Sequence, residues 1–338
     1  STASPAPPPA WRLPSADPLP RATRVVTPRS VLLYHPEGAP DYARLVKAPR
    51  GAIRLHTCAL PEEAAAVIGE AEILYAWNFP QALLAEAQRL RWIQSMGAGV
   101  ENFLDSGLSN SVIVTRAAGV FGPWMAEYTL TWCGWITRQI ERLREHQRAH
   151  RWAPGRPDRL RGKTLAVVGL GDIGREIARV ARLFGIRVIG VSRSGKKLPG
   201  LERIYRPRAL HGALAQCDFA VLTLPLTAET RGLIGERELR AMKSTAWILN
   251  IGRGPLIQEA ALLRALDAKW IAGAVLDVFD TEPLPPDHPF WGRENIVITP
   301  HNAGPSIPEE IAPVFNDNLR RYLSGKKLRY VVNRRQGY

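Results

Sequence analysis

Three short stretches carry residues that can do chemistry together: Asn250-Ile-Gly-Arg253-Gly254, Asp277-Val-Phe-Asp-Thr-Glu282-Pro283 and Thr299-Pro-His301-Asn-Ala-Gly304. Arg253 can hold a carboxylate by two parallel N–H bonds and polarise a carbonyl beside it. His301 can give a proton to an alkoxide as hydride arrives, or remove it in the reverse direction. Glu282 can bond the far imidazole nitrogen, which fixes the tautomer and favours the imidazolium, raising the histidine pKa. Taken singly these are a surface arginine, a glutamate before proline and a loop histidine. Taken together they suit reversible reduction of a 2-oxo acid, provided a hydride donor lies beside them.

The stretch Thr164–Ser194 supplies a site for such a donor. A buried-strand run, Leu165 to Val168, leads into Gly169, Gly171 and Gly174 in the order G-x-G-x-x-G. A helical pattern follows, with Ile173, Ile177, Val180, Ala181 and Phe184 on one face, closed by Gly185, and Ile186 to Val191 form the next strand. Such a βαβ unit sets a pyrophosphate on a helix N-terminus. At the tip of the second strand an NAD site usually carries Asp or Glu for the ribose hydroxyls. Here the tip reads Ser192-Arg193-Ser194, followed by Gly195-Lys196-Lys197, with no carboxylate. Arginine, lysine and hydroxyls suit a 2′-phosphate, so the expected cofactor is NADP(H), with NAD(H) as the second choice.

The elements that must position these residues read as two α/β units. Val31–Tyr34, Ile53–His56, Ile73–Trp77, Trp92–Ser95 and Val112–Thr115 read as strands. Pro61–Ile68 and Pro80–Arg89 read as helices between them, each opened by proline. Gly97-Ala98-Gly99 follows a strand directly, where glycines leave backbone N–H groups free for an anion. A single long helix is expected from Pro123 to about His150, with Trp124, Trp132 and Trp135 as packing or subunit contacts. Beyond the βαβ unit, Phe219–Leu224, Ala246–Asn250, Gly273–Val278 and Ile296–Thr299 read as strands. Glu236–Ala241 and Glu259–Leu266 are the helices among them, and 308–323 is a helix that can pack back on the first unit. The NRRQGY segment after it is expected to fray. The fold class is thus two Rossmann-like, doubly wound parallel-sheet domains with a cleft between them. The expected division is a Pro/Ala-rich leader at 1–23, a flavodoxin-like substrate domain at 24–122 and 305–338, and a dinucleotide domain at 123–304.

The 338 residues suffice for two well-cored domains, and 46% hydrophobic content is that of a globular chain. No apolar run reaches membrane-spanning length and residues 1–23 have no signal-peptide core, so a cytoplasmic protein without membrane association is expected. The three cysteines, Cys58, Cys133 and Cys217, are far apart and fit neither a disulfide framework nor a zinc site. His146 and His150 have ligand spacing, but Gln147 stands where H-E-x-x-H needs glutamate, so no metal is expected. The formal net charge of +14 is spread along the chain without a nucleic-acid motif, so no nucleic-acid partner is expected. A positive field also suits an enzyme whose substrate and cofactor are anions.

With the glycine turn, N-x-x-R-G, a glutamate before proline and P-H in this order, the chain resembles the D-isomer-specific 2-hydroxyacid dehydrogenases over roughly residues 30–325. The resemblance implies Arg253, Glu282 and His301 as the catalytic three. It implies Asp277 beside the nicotinamide amide, and backbone of Ala98 and Gly99 under the substrate carboxylate. It also implies a homodimer built largely on the cofactor domain. Within the family the likeness is to NADPH-dependent glyoxylate/hydroxypyruvate reductases, carried by Ala76-Trp77-Asn78-Phe79-Pro80, Met96-Gly-Ala-Gly99-Val100 and Ser192-Arg193-Ser194. Trp77 is then a pocket residue; its other reading is a core aromatic at a strand end. The implied cofactor site takes in Met125, Gly169, Gly171, Asp172, Ile173, Gly174, Ser192, Arg193, Ser194, Lys197, Leu224, Pro225, Thr230, Ile251, Gly252, Arg253, Asp277, His301, Ala303 and Gly304. Glu101, where the family more often has Asp, and Pro305 depart from the pattern. Two rival readings are a 3-phosphoglycerate dehydrogenase and a non-catalytic dinucleotide-sensing regulator. The first is opposed by the cofactor loop; the second has no need of all three catalytic residues.

Overall fold

The computed structural model describes residues 27–104 and 107–337. The expected leader at 1–23 lies outside the described residues. The first sheet takes β1 (Arg29–Tyr34), β2 (Ile53–Cys58), β3 (Ile73–Ala76), β4 (Trp92–Ser95) and β5 (Ile113–Thr115) in the order β2-β1-β3-β4-β5, all parallel. Its helices are α1 (Ala39–Leu45), α2 (Pro61–Ile68), α3 (Gln81–Leu84) and α4 (Glu101–Leu104). Two helices, α5 (Phe121–Thr137) and α6 (Ile140–Arg148), lead to the second sheet.

That sheet takes β6 (Thr164–Val168), β7 (Arg187–Val191), β8 (Arg203–Tyr205), β9 (Phe219–Leu222), β10 (Trp247–Asn250), β11 (Gly273–Leu276) and β12 (Ile296–Ile298). Its order is β12-β11-β10-β9-β6-β7-β8, again parallel throughout. The helices are α7 (Asp172–Leu183), α8 (Leu210–Leu214), α9 (Glu236–Ala241) and α10 (Glu259–Asp267); α11 (Pro308–Leu323) follows the sheet. Both orders reverse beside their first strand, where a doubly wound sheet opens a crevice for ligands. Parallel strands covered on both faces must be apolar throughout, and β3, β6, β9 and β11 are buried at every position.

The chain returns to its first sheet through α11. The Phe315 ring stacks on Tyr75, centroids 4.1 Å apart, and on Trp92 at 5.5 Å. Buried Asn318 donates to Gln94 Oε1 and to the Arg329 carbonyl, both at 3.0 Å. The described tail after it, to Gly337, is held in place rather than frayed. The Arg116 N–H donates to Tyr330 O, Val331 bridges Thr115, and Arg334 donates to the carbonyls of Leu108 and Val112.

Three elements differ from the sequence pattern. The expected helix 123–150 breaks at Gln139, whose backbone is left-handed (φ 54°), so α5 and α6 are separate. The expected helix 80–89 contracts to α3, because the chain turns to bury both Leu84 and Leu90. β8 extends the second sheet by a strand too short to show a period. Among the described residues no helix is long and apolar enough to cross a membrane.

Candidate active site

Arg253, His301 and the Ala98–Gly99 backbone stand on loops that buried polar residues fold. After β10, Asn250 Nδ2 donates to the Arg253 carbonyl (2.8 Å) and Asn250 Oδ1 accepts the Gly252 N–H (3.3 Å). That is why asparagine stands three residues before arginine. After β11, Asp277 is 1% exposed, and its carboxylate accepts from Thr299 Oγ1 (2.6 Å), Asn302 N–H (2.9 Å) and Ala303 N–H (3.0 Å). Its carbonyl accepts the His301 N–H at 2.9 Å. Burial pushes the Asp277 carboxyl up, against these donors. Its carboxylate is thus bound into the turn that carries His301, and this is how the structure places the residue expected at the nicotinamide amide. Tyr128 of α5 bonds Thr299 Oγ1 at 2.6 Å and braces the same turn. On the first sheet Ser95 Oγ accepts the Gly97 N–H (3.1 Å) and lies 3.2 Å from the Gly99 carbonyl, rolling up the loop that carries Ala98 and Gly99.

The structure brings His301 and Glu282 together: Nδ1 to Oε2 is 2.8 Å. Glu282 Oε1 accepts the Phe279 N–H at 3.0 Å, which aims the carboxylate. Burial pushes the Glu282 carboxyl up, but the His301 bond, the Phe279 N–H and the charges of His301 and Arg253 bring it below its ordinary range on balance. A carboxylate on Nδ1 assigns that nitrogen as the donor and leaves Nε2 for substrate. The ring is 45% exposed on its side chain, open to a ligand.

Arg253 differs from expectation. Its Nε–Nη2 edge is not open but taken by Glu101 of α4, at 3.0 and 3.2 Å, while Nη1 donates to the Gly252 carbonyl at 2.7 Å. The guanidinium lies against the backbone of Gly99. A Cβ built on Gly99 would fall 1.5 Å from Nη2, so only glycine admits the arginine here. Trp77, beyond β3, packs its ring over Gly97 and stays partly exposed, so it is a loop aromatic rather than a core one.

The glycine turn fits a dinucleotide. Gly171 caps α7 with no side-chain hydrogen bond, and a Cβ on Gly171 would meet nothing within 4 Å, so the space beside the helix N-terminus is open to a ligand. Gly174 lets the helix close on the strand: its Cβ would sit 1.9 Å from the Gly169 carbonyl oxygen. Asp172 turns its side chain to the first sheet's side of the cleft, accepting the Gly119 N–H (3.1 Å) and facing Arg116 (3.5 Å), which leaves backbone for a phosphate. Ile173 is half-buried on α7. Leu224 packs on Gly169, and Thr230 Oγ1 donates to the Pro225 carbonyl at 2.7 Å, closing the loop after β9. Ile251 is buried; Met125 and Ala303 are buried too, with Met125 packed beneath Gly304. At the far end, Ser192 Oγ accepts the Gly195 N–H at 3.3 Å. Arg193, Ser194 and Lys197 are exposed, and Arg193 donates to Gln336 of the tail at 3.3 Å.

The sequence reading missed Glu101 as the partner of Arg253, and Asn250 and Ser95 as loop organisers. The N-x-x-R spacing carried a signal for Asn250; none pointed to a pair spanning 152 positions.

Comparison with known proteins points to one family. Residues 134–303 match the family model for the D-isomer specific 2-hydroxyacid dehydrogenase, NAD binding domain. A glyoxylate reductase of Aeropyrum pernix is 36% identical over 264 residues, 75% of this chain and 79% of that protein. A crystal structure of a D-isomer specific 2-hydroxyacid dehydrogenase family protein from Aeromonas salmonicida superposes with a TM-score of 0.83 at 38% identity, covering 90% of this chain and 99% of that one. An NADPH-dependent glyoxylate/hydroxypyruvate reductase from Sinorhizobium meliloti, solved with NADP and sulfate, has a TM-score of 0.85 at 27% identity, covering 92% and 100%.

Proposed function

The chain belongs to the D-isomer specific 2-hydroxyacid dehydrogenase family and is an oxidoreductase with a nicotinamide-dinucleotide domain, and on that premise we propose that it reduces a small 2-oxo acid, glyoxylate or hydroxypyruvate, with NADPH. The observation that carries the reading is the His301 Nδ1–Glu282 pair at 2.8 Å, at the strand end beside that of Arg253. Bound NADPH supplies the hydride. Arg253 draws the carboxylate and polarises the ketone or aldehyde oxygen. His301 Nε2 donates its proton to that oxygen as charge develops, and Glu282 stabilises the imidazolium beforehand. The N–H groups of the Ala98–Gly99 loop orient the carboxylate, and Trp77 walls the pocket.

Preference for NADPH follows from Ser192, Arg193, Ser194 and Lys197, a turn of hydroxyls and cations without a carboxylate. The Sinorhizobium meliloti relative, solved with NADP, supports this choice. We assign residues 24–122 and 305–338 to the substrate domain and 123–304 to the dinucleotide domain. A cytoplasmic homodimer is the working state: the three cysteines are free and buried, and Trp132 and Trp135 form an aromatic pair on α5. The test is loss of nicotinamide absorbance with glyoxylate and hydroxypyruvate, with NADPH and NADH in parallel. Rapid oxidation of NADPH and slow oxidation of NADH is expected. No turnover with either cofactor, in protein shown to bind one, would overturn the reading.

A further inference from the structure

Glu101 comes from the first sheet's side of the cleft and Arg253 from the second, yet the two side chains meet edge to edge, with Nε to Oε1 at 3.0 Å and Nη2 to Oε2 at 3.2 Å. This two-point geometry fixes the plane of the guanidinium, which a single bond would leave free to swing. Both side chains are 29% exposed, so the pair is only partly screened by water. The pair bridges the two sides of the cleft. The third guanidinium nitrogen, Nη1, is tied to the Gly252 carbonyl at 2.7 Å. With Nε, one Nη2 hydrogen and one Nη1 hydrogen engaged, one hydrogen remains on each terminal nitrogen. Those two can form a second, end-on fork, the geometry that a substrate carboxylate or carbonyl accepts.

We infer that Glu101 is a positioning residue: it takes one edge of the Arg253 guanidinium across the cleft so that the end-on fork is presented to the substrate. The role rests on Arg253 being the substrate's partner, as proposed above. It makes the arginine a preorganised clamp, not a mobile cation that each substrate must order afresh. It also explains the bare backbone of Gly99, over which the held guanidinium lies. Length matters as well as charge, because Glu101 must cross from α4 to reach Nε and Nη2 together.

Glu101→Ala is expected to raise KM for glyoxylate about tenfold or more while KM for NADPH stays within about twofold, because only the substrate's partner is loosened. Glu101→Asp, shorter by one methylene, should fall between Glu101→Ala and the parent. The discriminating measurement is chemical rescue. In Arg253→Ala, guanidine hydrochloride at sub-denaturing concentration should restore part of the lost turnover, since Glu101 still offers a carboxylate for a free guanidinium. In the double variant Arg253→Ala/Glu101→Ala that rescue should be lost. A merely structural Glu101 would change thermal stability without affecting rescue. Equal rescue of both variants, or an unchanged glyoxylate KM in Glu101→Ala, overturns the inference. An Arg253→Ala enzyme with the parental glyoxylate KM overturns the assignment of Arg253 itself, and with it the role of Glu101.

Discussion

The two ends of the cofactor cleft are built differently. At the reacting end, Ser95, Asn250 and Asp277 stand at the ends of buried strands, each 1% exposed; Ser95 and Asn250 fold the loops that follow them and Asp277 folds the turn after β12, each by two or more hydrogen bonds. On those loops Arg253 and His301 are each paired to a carboxylate. At the far end, Ser192 is half-exposed, its hydroxyl makes two long bonds, to the Gly195 N–H and the Ser194 hydroxyl, and Arg193 reaches out to Gln336. The reacting end is therefore preorganised in the protein alone, whereas the end proposed for the 2′-phosphate is a set of exposed cations and hydroxyls that a ligand would order. Chemistry that depends on position is expected to fail steeply when a residue is removed. Selectivity that depends on charge at an exposed turn is expected to fail gradually.

The largest effect should come from Arg253→Ala. Losing a two-point carboxylate partner and the carbonyl's polarising charge should lower kcat/KM for glyoxylate about a thousandfold, measured by steady-state kinetics with saturating NADPH. A drop of only a few-fold would remove Arg253 from the preorganised end.

Next comes Glu282→Gln, expected to lower kcat about tenfold or more by taking away the charge that stabilises the imidazolium. The pH dependence sharpens this. The Glu282 carboxyl lies below its ordinary range of about 4.3. Its contribution is therefore complete above the unfolded-state value and is lost only as pH falls through the lower folded value. The Glu282–His301 pair should thus persist down to about pH 5, and loss of activity between pH 7 and 5 cannot come from protonating Glu282. A titration in the parental profile between pH 7 and 5 that Glu282→Gln abolishes would contradict the pairing.

At the far end the effects should be smaller. Ser192→Asp combined with Arg193→Ala should shift the NADPH-to-NADH ratio of kcat/KM by about ten- to a hundredfold toward NADH, with kcat little changed. A large fall in kcat with both cofactors would mean that the far end shapes the chemistry, and the contrast would fail. Gln336→Ala should be the mildest, moving KM for NADPH less than about threefold, because its bond to Arg193 is long and exposed.

The same contrast shows what a sequence can reveal. Arg253, Asp277, Glu282 and His301 were legible because each comes shortly after a strand end, and such local order is written in residue type and spacing; the loop-folding role of Asn250 was not read, although its spacing from Arg253 carried a signal. Most of the parallel strands were legible as mainly apolar runs; β4 was read in full although it ends in Gln94 and Ser95, and β8 was not read. The Glu101–Arg253 pair was not, because its two halves are set by the packing of one sheet against the other and share no local pattern. The break at Gln139 was hidden because a left-handed residue between two helical runs leaves both runs helical in composition. The tail after α11 has no period either. It is ordered by a lone bridge to Thr115 and by the Arg334 guanidinium on two carbonyls of the first sheet's last loop.

The most direct test of the preorganised end is single-turnover oxidation of bound NADPH by glyoxylate in His301→Ala against the parent protein, with cofactor binding followed separately by nicotinamide fluorescence. Unchanged NADPH binding is expected, with a chemical step slowed by about a hundred- to ten-thousandfold. A step within a few-fold of the parent's, at full cofactor occupancy, would contradict the proton transfer from His301.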